Sequence, residues 1–198
     1  MNLLGHDKLL NNRAIKEEAI VTYDGQVQFV GRNSGYIYKS VDYGVNWEVV
    51  TSLGSSNWIS IAISGTGQYV MASDSSTTYQ SSDYGNTWSS IAYSGRLSMS
   101  ASGAYRIITQ YGYPNVSTDY GQTWSNLTAA GDDSIQAVGM SFSNTYIVLG
   151  HSYSGYLIRS TNGGSSFTDI TSPGLRNWTR IATGRWGMST LSARDFQF

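Results

Sequence analysis

The stretch SSDYGNTWSS, residues 81–90, sets an Asp and a Gly two positions apart in a run of small polar residues and then presents a Trp. It returns as SVDYGVNWEV (40–49), STDYGQTWSN (117–126) and STNGGSSFTD (160–169). An Asx side chain accepts hydrogen bonds from main-chain N–H groups two or three residues on, and a Gly supplies a backbone angle that other residues resist. Each box therefore reads as a hairpin corner that locks itself, followed by an aromatic that opens the returning strand and brings a large apolar area to bury. The corner residues are Asp42, Gly44 and Trp47, then Asp83, Gly85 and Trp88, then Asp119, Gly121 and Trp124. The fourth box keeps Gly164 but carries Asn162 for the Asp and Phe167 for the Trp, which preserves a short acceptor and an aromatic.

Positions 42, 83, 119 and 162 lie 41, 36 and 43 residues apart, the period of a four-stranded unit. Upstream of each box two alternating strands precede a short third one. WISIAISGTGQYVMAS (58–73) shows the pair most clearly, and its counterparts are IVTYDGQVQFVG, LSMSASGAYRIIT, IQAVGMSFSNTYIVLG and WTRIATGRWGMST. Third strands YIYKS, TTYQS, NVST and YLIRS lead into the boxes, and WEVV, WSSIA, WSNL and FTDI leave them. Short strands at this turn density leave little room for helix, so the pattern predicts an all-β chain, a β-propeller of about five blades. The head of the second strand precedes the box by 14 residues at Tyr69 and Tyr105 and by 16 at Tyr146, so counted from Trp186 a fifth box falls at about 200–202, beyond Phe198, and the last blade is expected to be incomplete, with RDFQF (194–198) available as a third strand.

The boxes and their period resemble the Asp-box (BNR) repeat proteins, a motif shared by sialidases, sortilin-type receptors, photosystem assembly factors, xyloglucan-degrading enzymes and lectin-like propellers. The resemblance covers about residues 19–190. It implies that the boxes are fold-stabilising corners on the rim opposite the ligand face, and it carries architecture rather than activity. A sialidase would further need an arginine triad, a Tyr–Glu nucleophile pair and a Phe-Arg-Ile-Pro segment. That segment is missing, and no Glu follows Glu48.

The chain has 198 residues, 40% hydrophobic and 13% charged, with a formal net charge of -1. No basic surface is available to hold nucleic acid or an anionic membrane, and no apolar run approaches a membrane span. The absence of cysteine removes disulfides, thiolate zinc sites and cysteine nucleophiles. Residues 1–18, MNLLGHDKLLNNRAIKEE, differ from the propeller at 19–198: they hold no aromatic, a loose apolar face of Leu3, Leu4, Leu9, Leu10 and Ile15, and a helical pattern in NNRAIKEEAI. They read as an attachment segment for other virion or assembly proteins or, equally, as a segment that packs across the propeller's open bottom or fills the incomplete blade, and the start carries no signal peptide for Sec export.

With the corners on one rim, the opposite face is built by loops from second to third strands and from blade to blade. There Tyr111, Tyr113, His151 and Tyr153 are expected to collect, with Arg32, Arg96 and Arg176 around them. Aromatic faces beside neutral hydrogen-bonding groups suit a sugar ring, whose C–H face packs on π systems while its hydroxyls pair at the edges. Glycoside hydrolysis usually needs two carboxylates about 5–10 Å apart. On this side only Asp74, Asp132, Asp133 and Asp195 remain, each in a turn where capping explains an Asp equally well. His151 and the lone His6 give no base or metal ligand set, Asp132 with Asp133 lacks the spaced oxygens calcium needs, and no cofactor is expected. The sequence thus reads as a non-enzymatic binding module, a phage tail or capsid surface component that touches host glycans. A sialidase-like glycosidase, or an assembly propeller that binds another protein in the cytoplasm, is the alternative.

Overall fold

In a computed structural model the chain is described at residues 17–131, 134–153, 155–172, 174–183 and 189–192. Among the described residues, eighteen strands are arranged as four four-stranded antiparallel sheets and one pair. Blade 1 is β1 (Glu17–Val21), β2 (Gln28–Arg32), β3 (Ile37–Ser40) and β4 (Glu48–Val49). Blade 2 is β5 (Ser60–Ile63), β6 (Val70–Ser73), β7 (Thr78–Ser81) and β8 (Ser89–Ile91). Blade 3 is β9 (Arg96–Met99), β10 (Arg106–Thr109), β11 (Asn115–Ser117) and β12 (Ser125–Asn126), and blade 4 is β13 (Ile135–Met140), β14 (Ile147–His151), β15 (Leu157–Ser160) and β16 (Thr168–Ile170). Blade 5 contributes β17 (Arg180–Thr183) and β18 (Ser189–Ser192) among the described residues. Within each complete blade the strands pair in chain order, so the architecture is a β-propeller with an incomplete last blade.

The first strands of all five blades line one central channel of about 450 Å³. The turns that follow them are tied in series by main-chain bonds, from Tyr23 N to Gly65 O (3.0 Å), Gly65 N to Ala101 O (2.8 Å) and Ala101 N to Phe142 O (2.9 Å). Tyr23 and Phe142 meet with ring centroids 5.9 Å apart at this end of the channel.

The core lies between blades. The second strands β6 and β10 are buried on both faces, because their blades are sandwiched by neighbours. Phe29 and Ile37 of blade 1 pack with Ile61, Val70 and Ala72 of blade 2, and Ile107 and Val116 of blade 3 pack with Val138, Ile147 and Leu149 of blade 4.

The four boxes share one geometry. The Ser hydroxyl donates to the Asx oxygen (2.8–2.9 Å) and accepts from the Gly N–H (2.8–2.9 Å) at Ser40, Ser81, Ser117 and Ser160. Asp83 Oδ1 accepts from Asn86 N and Thr87 N, and Oδ2 from the Thr87 hydroxyl at 2.6 Å. The left-handed angle falls first on the residue before the Gly: Tyr43, Tyr84 and Tyr120 have φ of 62°, 63° and 64°. In the fourth box that place is Gly163, with φ 68°, so its departure from the pattern removes strain.

Two expectations are corrected. EEAI, the end of the helical pattern, belongs to strand β1, held by pairing with β2. The box aromatics are not the deeply buried anchors: Trp47 is 41% exposed, and Trp88, Trp124 and Phe167 are half-buried. The buried indoles are Trp58 (2%) and Trp178 (1%), which precede β5 and β17 instead of opening them. The rest of the 1–18 leader with His6, Asp132, Asp133, Asp195 and RDFQF lie outside the described residues.

Candidate functional site

Opposite the boxes, the loops from second to third strands are fixed by the segments that enter the next blade. Trp58 Nε1 donates to Gly35 O at 2.9 Å while Gly35 and Ser56 exchange main-chain bonds. Trp178 repeats this on blade 4, donating to Gly155 O at 3.0 Å beside the Gly155–Arg176 bridge. A Cβ on Gly31 would lie 3.1 Å from that of Trp58, and one on Gly150 would lie 2.6 Å from that of Trp178, so each indole needs a glycine in the adjacent second strand. The signal available in sequence is the recurrence of Asn57-Trp58 as Asn177-Trp178.

Upon this frame the structure brings Tyr111 and Tyr153 together from blades 3 and 4. Both are exposed, at 71% and 72%, and the neighbouring Tyr111 phenol, through its hydroxyl and then its charge, pushes the Tyr153 pKa above the usual tyrosine value. Gln136, at the head of the first strand β13, donates from Nε2 to the Tyr111 hydroxyl at 3.4 Å. Tyr153 has φ 58°, a left-handed angle held by a loop whose two ends are fixed, at His151 N to Tyr156 O and Ser152 N to Ser134 O. The result is a pair of outward aromatic faces joined by polar edges.

The other sequence candidates are placed differently. His151 ends β14, is half-buried, and accepts from Trp178 N through its carbonyl, so it belongs to the lock beneath the pair. Tyr113 is half-buried before Pro114, whose carbonyl accepts from Leu127 N at 2.7 Å. Arg32 stands on blade 1, its stem against Gly35, separated from the tyrosine pair by blade 2. Gln136 was not among the sequence candidates; nothing local marks it, because its role depends on a residue 25 positions away.

Asp74 is the described carboxylate on this side. It is buried at 7% exposure, and its oxygens accept from Ser76 N (2.8 Å), Thr77 N (2.8 Å), the Ser76 hydroxyl and the Ser56 hydroxyl (2.7 Å). Burial raises its pKa, but these hydrogen bonds outweigh it and hold the carboxyl below its ordinary value. Among the described residues no group of three or more His, Cys, Asp or Glu is placed to hold a metal, and no helix is long and apolar enough to cross a membrane.

The fold and this face define the class, a β-propeller. No family profile and no curated protein sequence matches the chain. Solved structures do. YCF48 bound to D1 peptide is similar at TM-score 0.60 and 14% identity, over 85% of this chain and 56% of that one. The GH74 xyloglucanase from Xanthomonas campestris is similar at 0.69 and 12%, over 84% of this chain and 32% of that one. A chain of the nidogen/laminin complex follows at 0.67 and 10%, over 84% and 68%. The chain thus spans just over half of YCF48 and about a third of the xyloglucanase. At these identities the likeness concerns the fold alone.

Proposed function

We propose that this is a non-enzymatic Asp-box propeller whose Tyr111–Tyr153 face binds a neutral glycan. The observation that carries the reading is the neighbouring pair of exposed tyrosines, Tyr111 held by Gln136 and Tyr153 by its left-handed backbone. Two aromatic faces offer stacking area to sugar C–H groups, and the amide and hydroxyls offer edge partners. Asp74 supports the non-enzymatic reading, since a carboxylate committed to turn capping and held ionised is unsuited to act as general acid. The setting we propose is the virion surface, in contact with host glycans, and it rests on the cysteine-free, Tyr- and Ser-rich composition.

A peptide or protein partner is the second reading, favoured by similarity to a YCF48 bound to a peptide and to a chain of a nidogen/laminin complex. A glycan array probed with an oligomerised form separates the two. The proposal expects binding to neutral oligosaccharides that is lost in the Tyr111→Ala, Tyr153→Ala double variant. Equal binding by that variant, or no glycan binding beside capture of an unstructured peptide, would overturn it.

A further inference from the structure

The repeat allows blade 1 to be compared with its siblings position by position. Where blades 2, 3 and 4 carry Ser82, Thr118 and Thr161, blade 1 has Val41; where they carry Asn86, Gln122 and Ser165, it has Val45; where they carry Ser90, Asn126 and Asp169, it has Val49. These valines are 52%, 76% and 41% exposed. Three apolar replacements in one corner and its outer strand, each at a position that is polar in every sibling, mark a surface made to be covered.

Among the described residues, the same side of blade 1 lacks the cover its siblings have. Trp88 packs on the core shared with blade 1, Trp124 on that of blades 2 and 3, and Phe167 on that of blades 3 and 4. Each box aromatic thus leans on the preceding blade, whereas Trp47 joins no such cluster and is 41% exposed. Val49 lies opposite Tyr38 and two residues from Trp47, so all three share this face, while Lys39 and Glu48 point towards blade 2. Val21 shares it too, since Ile20 packs into the core between blades 1 and 2.

We propose that residues 1–16 lie across this face and bury their leucines against Val21, Trp47 and Val49, with Val45 at the rim. The segment joins the blade at Glu17, on the strand that carries Val21. It supplies Leu3, Leu4, Leu9, Leu10 and Ile15. Four strands span only about 15 Å across, whereas an extended run of this length reaches about 50 Å. The patch is of the few-hundred-Å² class, short of the roughly 800 Å² each partner gives to a stable complex. A tethered segment needs far less, because its effective concentration is in the millimolar range. The leader is then an internal cover, in place of the partner-binding arm that its sequence pattern suggests.

The chain has no cysteine, which makes cross-linking a clean test. In the full-length protein, Leu3, Leu4, Leu9, Leu10 and Ile15 are each changed to Cys together with Val49→Cys, and in parallel with Asp169→Cys, the matching position on blade 4. Oxidation at low protein concentration should give an intrachain disulfide at least tenfold faster for one or more Val49 pairs than for the Asp169 controls. Deleting residues 1–16 should also shift tryptophan emission to the red and raise hydrophobic-dye binding, with both changes diminished in Trp47→Phe. No pair exceeding its control would overturn the proposal, as would disulfides formed only between chains, which would assign the face to a second copy. Dye binding that rises on removal of residues 193–198 and not of 1–16 would assign it to the other end of the chain.

Discussion

At the scale of single residues, the corner chemistry sets clear expectations. Asp83 and Asp119 are held at a pKa of about 2, first by the hydroxyls of Thr87 and Thr123 and then by the main-chain N–H groups of the same residues. A carboxylate whose folded pKa lies below its unfolded value stabilises the fold fully above about pH 4, and that contribution fades as pH falls towards 2. The thermal midpoint should therefore drop through this window, and Asp83→Asn should flatten the drop. Asp83→Ala should lose about 1–2 kcal/mol at neutral pH by removing a turn cap, and Asp83→Asn less, because Asn162 already serves in the fourth box. An unchanged denaturation midpoint in Asp83→Ala would contradict a structural role. The left-handed tyrosines give a second contrast: Tyr84→Gly should be tolerated, as Gly163 is, whereas a β-branched Tyr84→Val should cost about 1–2 kcal/mol in urea melts. At the candidate site, the Tyr153 phenol should ionise above the usual tyrosine value in an alkaline absorbance titration, and Tyr111→Phe should return it towards that value.

At the scale of elements, the boxes made strand order and pairing legible because their information is local: an Asp, a Gly and an alternating pattern decide a hairpin without reference to the rest of the chain. What escaped depends on contacts distant in sequence. Trp58 and Trp178 look like the first residues of their strands, and only the glycines at 31 and 150 show that they are wedges behind the neighbouring blade. NNRAIKEEAI has helical spacing, yet its end pairs residue by residue with Gln28–Arg32, a tertiary override of local preference. Likewise Tyr111 and Tyr153 were legible as loop aromatics, while their closeness and the contribution of Gln136 were not. Trp58→Ala should accordingly cost about 3–5 kcal/mol, more than Trp88→Ala at its half-buried corner, when both are compared by chemical denaturation.

At the scale of the whole molecule, four self-locking corners hold a ring whose two faces have different work. The box rim is committed to internal bonds, which leaves the opposite face, braced by Trp58 and Trp178, to meet a ligand. That division is the central claim, and residue-resolved NMR during titration with a neutral oligosaccharide tests it most directly. The account predicts shifts centred on Tyr111, Gln136 and Tyr153, with Asp83, Asp119 and their corners unmoved. Shifts centred on the boxes, or on blade 1 with the tyrosine pair silent, would contradict it.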